Sequence, residues 1–181
     1  MKTESTVMYV VRLAATLLLI TAFVAAALAG VNSITAPAIA ELTAQKTQNA
    51  IELVLPGGGD AVEFPATDLV SKVYASESGY AVEVTPGGFD NTITMMVGVD
   101  KAGSVLGISI IKHTETAGLG AVAAAGTPAG EAFRNEFVGA SGSVSVTKDG
   151  GELDAITGAT ITSRAVCAGV NAALACVAGL G

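Results

Sequence analysis

The stretch Asp154-Ala-Ile-Thr157-Gly158-Ala159-Thr160-Ile-Thr162-Ser163 gathers four hydroxyl side chains and one glycine within a few positions. Beyond it Val166, Val170, Ala173, Leu174 and Val177 recur at helical spacing, which predicts a helix with Thr162 or Ser163 as its capping residue. Hydroxyls crowded at a helix N-terminus sit beside unpaired backbone N–H groups and the positive end of the helix dipole. The chemistry on offer there is the binding of a phosphate or carboxylate. Gly158 would let such a ligand come close to the backbone. A capped helix after a glycine turn is also an ordinary structural device, so the residues alone leave both readings open.

Other chemistries are poorly supplied. His113 is the single histidine, and Gly139-Ala-Ser141-Gly-Ser143 fails the Gly-x-Ser-x-Gly nucleophile pattern at its fifth position, which argues against a hydrolase. His113 reads first as a polar residue at a strand end, and Glu115 as a solvated loop charge. No Gly-x-Gly-x-x-Gly follows a strand and no P-loop occurs, so neither a nicotinamide nor a nucleoside triphosphate site is indicated. Cys167 and Cys176 lie nine apart on the same expected helix, on different faces and too far apart to bridge; they read as small buried side chains. No Cys/His cluster suggests a metal site.

The order Asp154, Thr157-Gly158-Ala159-Thr160 resembles the Asp-x-x-(Ser/Thr)-Gly-Ala-Thr signature of the FMN-binding domain found in the G subunit of Rnf complexes and the C subunit of Nqr complexes. A second block, His113-Thr114-Glu115-Thr116-Ala117-Gly118-Leu119-Gly120, resembles the family's Glu-Thr-Pro-Gly-Leu-Gly segment, with Ala117 where proline is usual. The resemblance implies FMN joined through its phosphate to Thr160 by a flavin transferase that recognises the segment holding Asp154 and Thr157. It also implies that Gly158, Ala159, Thr162 and Ser163 surround the attachment point, and that Glu115, Thr116, Gly118 and Leu119 lie against the flavin. On that footing the chain is an electron-transfer subunit of an Rnf-type ferredoxin:NAD oxidoreductase that couples electron flow to Na⁺ or H⁺ export. Its implied partners are the other membrane subunits, one of them carrying a second covalent flavin. Alternatives are an Nqr-type C subunit of a quinone-reducing sodium pump, an FMN domain feeding an extracytoplasmic reductase, or a non-redox anchored module that binds an anion.

Elements able to position these residues can be read from the rest of the chain. Leu13 to Val31 gives nineteen positions without a charge, roughly 29 Å as a helix against a hydrocarbon thickness of ~30 Å. This run is longer than a signal-peptide core, so a retained single-pass anchor in the cell (inner) membrane is expected. Lys2 and Arg12 precede it and no basic residue follows until Lys46, which predicts a cytoplasmic N-terminus and an extracytoplasmic domain. The expected division is an anchor over 1–31, a linker helix and turn over 32–59, and an FMN-binding domain over 60–181. Thr35-Ala-Pro37 reads as the start of the linker helix and Pro56-Gly57-Gly58-Gly59 as its end.

The fold class expected for the domain is α+β, an antiparallel sheet with flanking helices. Strands are predicted near Lys72–Ala75, over Tyr80–Val84, from Thr92 with Ile93, Met95, Val97 and Val99 on one side, and through Leu106, Ile108 and Ile110. Such a sheet would offer one face to a core. A short helix over Gly130–Phe137 and a further strand over Ser143–Thr147 complete the pattern, and Lys148-Asp-Gly-Gly151 turns the chain into the signature. Apolar residues make up 51% of the chain but aromatics only 4%, so Val, Ile, Leu and Ala must build the core. Without the first 31 residues there remain seven basic against fifteen acidic side chains. That balance, with no cluster of Lys or Arg, argues against a nucleic-acid partner and suits a membrane-tethered domain held off anionic lipid.

Overall fold

The structure is a computed structural model that describes residues 3–64 and 68–180. It divides into two units, Met1–Ala44 and Gln45–Gly181. Helix α1, Thr3–Val54, begins in the first unit and ends in the second. From Thr6 to Lys46 every side chain is exposed, Leu17, Leu18, Leu19 and Phe23 among them. Within it the charge-free run from Leu13 to Val31 presents an apolar surface suited to lipid. The helix start expected at Thr35-Ala-Pro37 does not occur. Pro37 lies inside α1, and the Thr35 hydroxyl donates back to the Val31 carbonyl at 3.0 Å instead of capping a new helix. A proline removes one backbone donor, yet α1 runs through Pro37 without a break.

Five strands form one antiparallel meander in chain order: β1 Asp60–Val62, β2 Val70–Ala75, β3 Gly79–Val84, β4 Thr94–Asp100 and β5 Val105–Lys112. Alternation sets the faces. Val82 and Val84 of β3 pair with Val97 and Met95 of β4, and all four are fully buried on one face. Helix α3, Thr160–Ala178, covers that face with Val166, Val170, Ala173, Leu174 and Val177, the stripe read from the sequence. Gly169 allows the close approach: a Cβ there would press on Val84, Met95 and Pro86.

The second face is not left to solvent. Ala50, Ile51, Val54 and Leu55 pack onto Ala81 and Met96, with Tyr74 and Ile111 alongside. Gly98 makes this possible, because a Cβ there would collide with the Val54 carbonyl. Strand alternation alone implies a single buried face; the centre of this sheet is buried on both, since α1 delivers an apolar end to it.

Two further expectations are corrected. Leu106 does not share a face with Ile108 and Ile110. Val99 pairs with Val105 and Gly98 with Gly107, so Leu106 is the extra residue of a bulge and is 39% exposed, while Val105 takes the core position. Nor do Ser143–Thr147 form a strand. They run extended with a single bridge from Val146 to Leu153, and the chain then enters a 3₁₀ turn at Thr147–Asp149. Asn171 of α3 clamps this segment by bonding both the N–H and the carbonyl of Val144. Helix α2, Pro128–Asn135, is capped by Thr127 and sets Phe133 edge-on to Phe137, with ring centroids 5.4 Å apart.

Cys167 and Cys176 are buried free thiols, as their spacing implies. Burial pushes the Cys167 thiol up to about 11 and raises that of Cys176. Iodoacetamide at pH 8 is therefore expected to leave both unmodified in the native protein and to label both after denaturation. Rapid native labelling would show that α3 opens readily.

Candidate functional site

The signature folds as a tight loop into α3. Gly158 adopts φ +76°, a left-handed conformation that glycine takes without strain. The residue flanking the helix is Ala159, whose side chain cannot cap it. The expected caps are displaced inward because the helix starts at Thr160, which puts Thr162 and Ser163 within its first turn, where each has another task. Ser163 is fully buried; its hydroxyl donates to the Ala159 carbonyl at 3.1 Å and accepts the Ile156 N–H at 3.0 Å. This cross-tie fixes the loop's return. Upstream, the Asp154 N–H donates to Glu136 Oε2 at 2.7 Å. The N–H groups of Thr160, Ile161 and Thr162 precede the first bond of the helix, Ser163 N–H to Ala159 O, and form the donor-rich end of α3.

A cleft of about 280 Å³ opens at that end. One side carries Lys148, whose ammonium donates to Thr160 Oγ1 at 3.1 Å. The next residue, Asp149, receives two hydrogen bonds from Arg164, at 2.7 and 2.5 Å, so the Lys148 turn is tied to the first turn of α3. Those bonds hold the Asp149 carboxyl below its ordinary value. A carboxyl lowered in the folded state keeps its contribution above the unfolded value of ~3.9 and loses it as pH falls through the lower folded value. The tie therefore holds at neutral pH and releases only in acid.

The other side of the cleft is the loop that follows β5. Glu115 is buried there, its Oε2 accepting the Thr162 hydroxyl at 2.5 Å and its Oε1 accepting the Phe89 N–H at 2.9 Å. Phe89, Leu119 and Ile161 stand exposed around the opening and give it an apolar lip.

Of the residues expected at a site, Glu115, Thr116, Leu119, Gly158, Ala159, Thr160 and Thr162 line this cleft together. Ser163 lies behind it in the core. Thr157 and Gly118 face away, into a separate groove with Phe133, Glu136 and Asp154. His113 also lies elsewhere, half-buried beside Lys46 and Asn49, and its Nδ1 has no hydrogen-bond partner. Sequence reasoning passes over Phe89 and Lys148, and it quotes Gly120 and Ile161 within the two blocks without giving either a role of its own. Lys148 reads in the sequence only as part of a turn, although a lone cation twelve residues before Thr160 in an acidic domain is the available signal. Phe89 offers none beyond an aromatic after Pro86-Gly87-Gly88.

A family model described as an FMN-binding domain matches residues 88–175. The chain is 36% identical to the G subunit of the Na⁺-translocating ferredoxin:NAD⁺ oxidoreductase complex of Acetobacterium woodii, over 90% of this chain and 88% of that protein. It is 32% identical to the G subunit of the proton-translocating ferredoxin:NAD⁺ oxidoreductase complex of Clostridium ljungdahlii, covering 87% and 86%. It is likewise 32% identical to the G subunit of the ion-translocating oxidoreductase complex of Methanosarcina acetivorans, covering 88% and 89%.

The residues present fit FMN. A helix N-terminus and an ammonium suit the phosphate, and an apolar lip suits a fused aromatic ring. At about 280 Å³ the cleft is near the lower end of the range usual for small-molecule sites. At this identity over nearly its full length, the chain belongs to the family of G subunits of ion-translocating oxidoreductase complexes and carries an FMN-binding domain.

Proposed function

We propose that this chain relays electrons through an FMN joined as a phosphoester to Thr160 Oγ1, as the G subunit of a membrane-bound ferredoxin:NAD oxidoreductase that couples electron flow to Na⁺ or H⁺ translocation. The observation that carries the reading is the position of Thr160: its hydroxyl stands at the donor end of α3, 3.1 Å from the Lys148 ammonium, inside a cleft with an apolar lip. Bound FMN supplies one- and two-electron transfer. Lys148 and the first-turn N–H groups neutralise its phosphate, Asp149 and Arg164 keep Lys148 in place, and Phe89, Leu119 and Ile161 exclude water from the ring. Nothing in the sequence provides a nicotinamide fingerprint, so the chain would pass electrons between neighbours and not oxidise a soluble donor itself. Those neighbours are the other membrane subunits, one with a second covalent flavin. A flavin transferase is the partner during maturation, and it would grip Asp154 and Thr157 on the side of the loop away from the cleft.

The purified flavinylated protein should be bleached by dithionite yet show no turnover with NADH and organic acceptors. NADH oxidation by the isolated chain would favour a reductase-feeding role instead. Lys2 and Arg12, ahead of the apolar run, support a cytoplasmic N-terminus with the folded unit outside. Protease added to intact spheroplasts should then digest the domain, and protection until lysis would reverse the orientation.

A further inference from the structure

The family resemblance puts Glu115 against the flavin, but both of its carboxylate oxygens are engaged within the protein. Oε1 accepts the Phe89 N–H and Oε2 accepts the Thr162 hydroxyl. The side chain is 8% exposed and has no room to swing: a Cβ at Gly88 would fall on Oε1, and one at Gly120 on Oε2 and on the Thr162 hydroxyl. Thr162 itself is 2% exposed, yet it lines the cleft. A threonine hydroxyl has one proton and two lone pairs. With its proton committed to Glu115, it can present only lone pairs to a ligand. The same carboxylate holds the Phe89 N–H, which ties this acceptor to a residue of the apolar lip, whereas Lys148 is bonded to Thr160, the phosphate-bearing position.

We infer that Glu115 is a positioning residue that fixes the Thr162 hydroxyl as a hydrogen-bond acceptor toward the cleft, where it selects an N–H that the flavin ring gains on reduction. Taking up two electrons and two protons turns ring nitrogens from lone-pair acceptors into N–H donors, so a fixed acceptor stabilises the reduced ring over the oxidised one. The inference rests on FMN occupying this cleft. It goes further in assigning Glu115 an indirect role and Thr162 a polarity.

Glu115→Gln tests it because the substitution keeps the shape and inverts the polarity. The Phe89 N–H requires the amide oxygen on its side, which turns the amide NH₂ toward Thr162. Thr162 must then accept from Gln and point its own proton into the cleft. The flavinylated full-length protein, wild type and Glu115→Gln, Thr162→Val and the double variant, is equilibrated with a redox dye at fixed ambient potential and its visible spectrum read. Thr162→Val should lower the reduced-to-oxidised flavin ratio about fivefold, the effect of one hydrogen bond of ordinary net strength. Glu115→Gln should lower it at least as far, with a melting temperature near that of wild type. The double variant should match Thr162→Val alone.

A Glu115→Gln shift that persists in the Thr162→Val background, or its absence where Thr162→Val shifts the ratio, overturns the inference and leaves the FMN site standing. No response to Thr162→Val in spectrum or ratio overturns the inference, while the FMN site itself stands or falls with Thr160→Val. Should Glu115→Gln not fold, Thr162→Ser must match wild type where Thr162→Val does not, and equal behaviour of the two refutes the acceptor role.

Discussion

Thr160→Val is expected to yield a folded, membrane-inserted and colourless protein. Valine copies the shape of threonine, and the hydroxyl lost makes one bond, to the exposed Lys148. Ala159 and not Thr160 flanks the helix, so no cap is removed and stability should change by less than about 0.5 kcal/mol. The loss of covalent flavin should be complete, because a phosphoester needs an oxygen at this position. Mass spectrometry of the wild-type signature peptide should place FMN less one water on Thr160. In membranes, ferredoxin-to-NAD electron flow should fall to background in the variant while the complex stays assembled. Flavin that survives denaturation of Thr160→Val would move the attachment elsewhere, and normal electron flow would end the relay reading. Thr157→Val should reduce loading less, since Thr157 is exposed on the far side of the loop and would serve recognition, not attachment.

Leu55→Ala should cost about 2–5 kcal/mol, the range for emptying a fully buried leucine site. Leu55 is fully buried among Ile51, Val54, Ala81 and Met96, just past the end of α1. For a unit of this size the melting temperature should fall by roughly 10 °C. Leu53→Ala, two residues away and 69% exposed, should stay within about 0.5 kcal/mol of wild type. Equal melting of the two variants would mean that the end of α1 does not belong to the folded core. The comparison matters for function because the end of α1 is itself packed against the sheet of the fold that carries the cleft.

The amino-acid sequence by itself determined what local periodicity and chemically singular residues can carry. The charge-free run after Arg12, the alternation from Ile93 to Val99, the helical stripe from Val166 to Val177 and the two flavin-related blocks each depend on near neighbours in the chain, so spacing exposes them. The structure places these elements as spacing implied, and brings Glu115, Leu119 and Thr160 into one cleft.

Only the tertiary structure decided what depends on distant segments meeting. The second sheet face is covered because Gly98 admits the Val54 carbonyl, a contact between residues forty-four apart that no periodicity announces. Leu106 turned outward because a bulge changes strand register by one residue, and a strand with period two then exchanges faces. Thr162 and Ser163 lost their expected capping role to partners unseen in the local sequence: the buried carboxylate of Glu115, forty-seven residues away, and the N–H of Ile156 in the returning loop. Lys148 became part of the site for the same kind of reason. A turn lysine looks solvated until the Asp149–Arg164 pair folds it back against Thr160, because hydrogen-bond satisfaction is settled in three dimensions and leaves no period in the chain.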